Sequence, residues 1–270
     1  MCIRDRALAL RLPWLGAMPT PCGDEGNWPL LGLSLSRGLP ASLPPDAGFV
    51  STAFAWLIAG SFRVSGPSFM AARLVLVVGL VACAAGGAAL LRRWPAAAFA
   101  AALLLHPWSV AWSRTASVPY ALSLGLGALG CLGWWSALRA RAAAGLFIAA
   151  QCLGVSFHFS PLAALPALTC ALWTLAPGQR WALRWPALWA SAVAGVLHLV
   201  PLVRGVLAVP RGASHDHGGR VVDAARMMIG DLSGASTLRH FAGTTNTTEA
   251  IAALAWAALV VVSARAVWRD

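Results

Sequence analysis

The sequence predicts an all-α fold, a polytopic transmembrane helical bundle of about seven spans with interfacial helices. Three observations carry this. The chain is 59% apolar and 11% charged, against about 45–50% and about 25% in soluble domains. Its apolar residues gather in runs of about 20, the length a helix needs to cross a bilayer. Its arginines fall between those runs, in alternate gaps. A soluble globule with so few charges could not coat its surface, and a disordered chain needs low hydrophobicity. A net charge of +11 would suggest nucleic acid in a soluble protein. Here the cations read as topology signals, so no nucleic-acid partner is expected.

The elements follow in order. Residues 1–20 read as the remnant of a truncated first span: Met1–Arg6 is out of character and is set aside, and Ala7–Pro19 is too short to cross. Residues 21–67 read as a first extracytoplasmic loop. Within it, Trp28–Arg37 is apolar with a polar fringe, suited to a helix lying at the interface. Phe49–Phe62 is a 14-residue apolar run, a length more often re-entrant than spanning. If it did span, the Asp24 loop would face the cytoplasm.

The core, 68–207, holds Ser68–Leu91, Trp94–Trp112 and Val118–Leu138 as spans. Ala142–Pro177 is too long for one crossing. His158, Ser160 and Pro161 near its middle divide it into 142–157 and 161–176. Trp185–Leu207 is the next span, 208–249 an extracytoplasmic loop, and Ala250–Trp268, within 250–270, the last span. Arg92 and Arg93, Arg139 and Arg141, Arg180 and Arg184, and Arg265 and Arg269 then share one side. By the positive-inside rule that side is cytoplasmic. The predicted location is the inner membrane, with the opposite face carrying seven of the nine acids.

That acidic face holds the candidate chemistry. Asp24 and Glu25 are adjacent carboxylates flanked by Gly23 and Gly26. A carboxylate there could act as a general base or ligate a divalent cation such as magnesium or manganese. It could equally cap the interfacial helix. Arg73 sits one and a half turns into its span, able to snorkel or to grip a phosphate bidentately. Arg114 has the same two readings on the same face. A phosphate there, next to paired acids, implies a lipid-phosphate donor. His158 reads as a structural histidine or as part of the site. His215-Asp216-His217 reads as a polar loop before a metal site. The six cysteines show no metal or redox spacing.

Four stretches in order resemble the GT-C glycosyltransferases, in particular the bacterial relatives of protein O-mannosyltransferases and the lipid A aminoarabinose transferase. Asp24-Glu25 resembles that family's acidic pair. Phe62-Arg63-Val64-Ser65-Gly66 with Ala72-Arg73-Leu74 resembles its approach to the next span. Trp112-Ser113-Arg114 with Pro119-Tyr120-Ala121-Leu122, and Phe157-His158-Phe159, resemble two further motifs. The resemblance covers roughly residues 20–175. The chain departs from it at Ala116-Ser117-Val118, where many relatives carry a further acid or arginine.

The resemblance implies a GT-C-like fold and a polyprenyl-phosphate-linked sugar donor. It implies inverting transfer to a lipid, glycan or protein acceptor. Asp24 would be the base, and Glu25 would orient it or help bind a metal. Arg73 and Arg114 would hold the phosphate, with Tyr120 and His158 at the substrate. A transporter or flippase fragment, and a non-catalytic membrane subunit, are the competing readings.

Overall fold

The computed structural model describes residues 12, 23–40, 52–91, 94–105, 109–110, 113–114, 119–160, 163–201 and 203. The chain forms two compact units, one of residues 1–105 with 112–209, the other of 106–111 with 210–270. In the second unit only Ser109 and Val110 are described. The first holds α1 (Gly23–Ser36), α2 (Ala53–Ser65), α3 (Phe69–Leu90), α4 (Trp94–Leu105), α5 (Tyr120–Ala140), α6 (Ala143–Phe157), α7 (Ala164–Leu175) and α8 (Pro186–Val196). A 3-10 helix, Pro177–Arg184, joins the last two. No strand occurs among the described residues.

The helix boundaries follow from local chemistry. Ser68 starts α3 by accepting the Ala71 N–H at 3.1 Å, satisfying an otherwise orphaned donor. Gly66, at φ 79°, makes the corner after α2, a conformation that suits glycine. Arg141 closes α5 in the left-handed region at φ 51°, its N–H reaching the Ala137 and Leu138 carbonyls. Pro29 lies inside α1 and cannot donate to the Glu25 carbonyl one turn back.

Among the described residues, two helices are long and apolar enough to cross a membrane, α3 and α5. A third candidate is the 3-10 helix with Pro186–Pro201, bent by 80° between them. The other predicted spans are shorter in the described residues. The Trp94–Trp112 run yields 12 residues in α4, the 142–157 run 15 in α6, the 161–176 run 12 in α7 and the Trp185–Leu207 run 11 in α8. Hydropathy sums over a window and does not see stops. The described part of α4 ends at Leu105. Helix α8 gives way to a turn at Leu197–His198. Ala250–Trp268 lies outside the described residues.

Helices α1 and α2 run parallel. The Trp28 and Phe54 rings meet near their starts at 5.6 Å. At their ends Arg63 Nη2 donates to the Leu35 carbonyl at 3.1 Å. Phe54, Ile58 and Phe62 of α2 are buried with Leu76 of α3. The opposite face of α2 exposes Trp56, Leu57 and Val64.

Helices α3 and α5 also run side by side in one direction, Gly125 lying against Cys83 and Gly86 against Leu129. Helix α6 returns along α5, with Gly130 beside Leu153 and Gly145 beside Ala137. Helix α8 follows α6, and a Cβ on Gly195 would stand 3.0 Å from the Ala150 carbonyl oxygen. Lipid is as apolar as a leucine side chain, so membrane helices associate through close packing of small residues and a few hydrogen bonds. The glycines here set how near the backbones come. The bundle consequently has two ends. At one, α3 and α5 start and α6 and α8 finish. At the other, α5 and α7 finish and α6 and α8 start.

Candidate functional site

The first end gathers the arginines that the sequence singles out. Arg73 lies in the second turn of α3 and is fully buried. Its guanidinium stands 5.8 Å from the Phe69 ring centroid. Arg114 is half-buried in a turn with the buried Ser113. Burial, and then the charge of Arg73, pull the Arg114 guanidinium below its ordinary value. The two cations are thus within electrostatic reach. Like charge and desolvation both disfavour the charged form of Arg114. The stretch from residue 47 to residue 215 contains no Asp or Glu. Any neutralising carboxylate must come from outside it, or from a ligand.

Tyr120 opens α5, half-buried and next to the fully buried Pro119. It stands near the start of the helix whose Leu122 packs against Gly79 of α3. Arg73 lies six residues before Gly79, about 9 Å further out along α3.

His158 caps α6 at the same end and meets a partner that the sequence reading did not assign. Its Nε2 lies 3.2 Å from His198 Nδ1, the rings edge-on at 5.4 Å between centroids. His198 Nε2 lies 2.8 Å from Gln151 Oε1. An amide oxygen only accepts, so His198 Nε2 carries the proton and its Nδ1 is bare. His158 must then donate from Nε2. The chain Gln151–His198–His158 fixes both tautomers and ties α6 to the residues just past α8. Burial, and next the His198 ring, hold the His158 imidazole below its ordinary value of 6.5. Only spacing across two helices creates this pair, and 40 residues of sequence separate its members.

Asp24 and Glu25 form the first turn of α1, where a helix dipole favours negative charge. Their side chains lie outside the described residues. The backbone course is clear. They start α1 about 16 Å along its axis from Leu35. The far end of α1 is the one that shares a corner with the ends of α2, where Ser61 Oγ donates to the Ala71 carbonyl at 2.8 Å. The structure therefore sets Arg73 and Arg114 within electrostatic range of each other, and starts the acidic helix away from the α2–α3 corner.

No group of three His, Cys, Asp or Glu that could hold a metal occurs among the described residues. His215-Asp216-His217 lies outside the described residues. The cysteines hold one surprise. Cys131 and Cys170 approach to 3.6 Å between α5 and α7, and Cys131 Sγ also donates to the Pro166 carbonyl at 3.3 Å.

The described residues form an all-helical fold with two helices long and apolar enough to span a membrane, or three with the bent pair, which is the class of a membrane protein. The chain matches no known family model, no curated protein and no solved structure.

Proposed function

We propose that this chain is a membrane glycosyltransferase with a seven-span, GT-C-like bundle. It moves a sugar from a polyprenyl-phosphate donor to a hydroxyl of a lipid, glycan or protein acceptor on the extracytoplasmic face, with inversion. The observation that carries this reading is the fully buried Arg73 within electrostatic range of the half-buried Arg114. Two fixed guanidinium groups suit a phosphate that gains charge as it leaves. Asp24 takes the proton of the acceptor hydroxyl. The acceptor oxygen bonds to the anomeric carbon, the bond from that carbon to the phosphate oxygen breaks, and its electron pair stays on the phosphate. Glu25 orients Asp24 or assists with a divalent cation, and Tyr120 and His158 flank the substrate.

One observation favours a second reading. The acidic turn begins α1 about 16 Å from Leu35, toward the end opposite the α2–α3 corner. A subunit that binds the lipid phosphate without turning it over needs the arginines alone. Transfer assays with a polyprenyl-phosphate sugar separate the two. The enzyme reading expects Asp24→Asn to cut transfer by about 10²- to 10⁴-fold, the usual contribution of a general base, with donor binding intact. Undiminished transfer in that variant would sink Asp24 as base. Donor binding by a wild-type chain that shows no turnover would establish the second reading.

A further inference from the structure

The second end of the bundle carries its own cluster of cations, and beneath it lies an empty apolar channel. Arg139 and Arg141 project from the last turn and cap of α5, and Arg180 and Arg184 from the 3-10 helix; all four are exposed. Arg139 lies 4.5 Å over the Trp135 ring and Arg141 lies 4.6 Å over the Trp181 ring. The Arg141 contact brings the α5 cap onto the segment that bears Arg180 and Arg184. Trp181 and Trp185 pack 5.9 Å apart on the same segment. A guanidinium flat on an indole face keeps its N–H edge directed outward. With no Asp or Glu between residues 47 and 215, no carboxylate from this part of the chain competes for those edges.

Directly inward is a groove of about 440 Å³ between α6, α7 and α8. Its floor near the arginines is Leu183, Leu188 and Trp189, and it continues past Ala171 and Ala192 to Val196. From Leu188 to Val196 it follows about 12 Å of α8. Its wall contains Thr174, whose hydroxyl is already bonded to Trp134 Nε1 at 3.0 Å. An 80° bend separates the 3-10 helix from Pro186–Pro201, and Leu183 of the cationic segment lines the groove. The bend lets the segment lie along a membrane surface while α8 enters the hydrocarbon. Tryptophan and arginine together are the side chains of that boundary.

We infer that this end is a binding site for one anionic phospholipid. Its phosphate sits on the edges of Arg141, Arg180 and Arg184, and one acyl chain lies in the α6–α7–α8 groove. The charge above and the apolar channel below match the two halves of such a molecule. Neither matches a soluble anion or a zwitterionic lipid equally well. The site lies at the opposite end of the bundle from Arg73 and Arg114 and does not depend on their role.

The test uses the full chain in neutral detergent, titrated with phosphatidylglycerol or phosphatidylcholine and read by native mass spectrometry. Phosphatidylglycerol should bind at least tenfold more tightly than phosphatidylcholine. The combined variant R141Q/R180Q/R184Q should lose that preference. Should the combined variant fail to fold, R180Q and R184Q singly carry the test, since neither takes part in ring stacking. Ala192→Phe, which fills the groove, should weaken phosphatidylglycerol binding with the arginines intact. Equal binding of the two lipids overturns the inference, as does a preference that survives loss of the arginines. Displacement of phosphatidylglycerol by an equal concentration of inorganic phosphate also overturns it, because the site would then hold an anion only.

Discussion

Arginine does opposite things at the two ends of this bundle. At the end where α3 and α5 start, Arg73 is fully buried and shares its surroundings with a second guanidinium. At the end where α5 finishes, Arg139 and Arg141 are exposed and lie on tryptophan faces. The residue type and its distance from a span end are similar in the two places. Neighbouring helices make the difference. Helix α2 packs against the first turns of α3, Ser61 Oγ donating to the Ala71 carbonyl at 2.8 Å, while at the α5 terminus Arg141 reaches the ring-bearing 3-10 segment. A cation near a helix end is therefore a topological marker where it reaches water. It is part of the packed interior where neighbouring helices bury it, as at Arg73.

The strongest way to break this comparison is to remove one arginine from each end. Arg73→Ala should cost about 2–5 kcal/mol, the usual loss when a large, fully buried side chain is truncated. Arg139→Ala should cost no more than about 1 kcal/mol, the worth of an exposed cation–π contact. Unfolding in mixed detergent reads both, and equal losses would mean that burial does not distinguish the two ends.

A smaller effect tests what holds the first end together. Gly195→Leu places a side chain where the Ala150 carbonyl oxygen lies 3.0 Å from a Cβ. It should destabilise by about 1–3 kcal/mol through overpacking and pull His198 from His158. An unchanged unfolding midpoint would show that the α6–α8 approach is not close-packed. At the second end, Trp134→Phe removes the 3.0 Å bond to Thr174. The expected loss is about 0.6 kcal/mol, the average for a polar contact between membrane helices.

The smallest effect is that of pH on the histidine pair. His158 is held below its ordinary value of 6.5, so the folded chain binds this proton less well than the unfolded one. The pair's contribution is present above pH 6.5. It is lost as pH falls through the lowered folded value. A proton on His198 Nδ1 would also set two donors face to face. Thermal midpoints taken between pH 8 and pH 5 should fall more steeply for the natural chain than for His158→Gln. Parallel slopes would remove His158 as the group responsible.

Much of the helical outline was legible along the chain. Ser68–Leu91 and Val118–Leu138 correspond to α3 and α5 within two residues at each end, because long uninterrupted apolar runs have one solution in lipid. The break near Ser160 was legible from a polar pair and a proline. The shortness of α7 and α8 was not, since a mean over 20 residues hides the position where geometry stops. Of the candidate site, Arg73 and Arg114 could be put on one face from span counting alone. Their approach could not, nor could the Gln151–His198–His158 chain or the Cys131–Cys170 contact. Each of these joins residues roughly 40 positions apart across different helices, and sequence spacing carries no signal at that range.

By itself, the amino-acid order determined the helical class, the membrane as solvent, and which stretches are long enough to cross it. These are one-dimensional properties, summed from apolar surface and backbone hydrogen bonding within a segment. Only the tertiary structure decided which arginine is enclosed and which is laid on an indole ring. It also decided which histidines share a proton and where the apolar groove opens. Those outcomes depend on the distance between helices, which glycines such as Gly125, Gly130 and Gly195 set through close backbone approach and which no single helix contains.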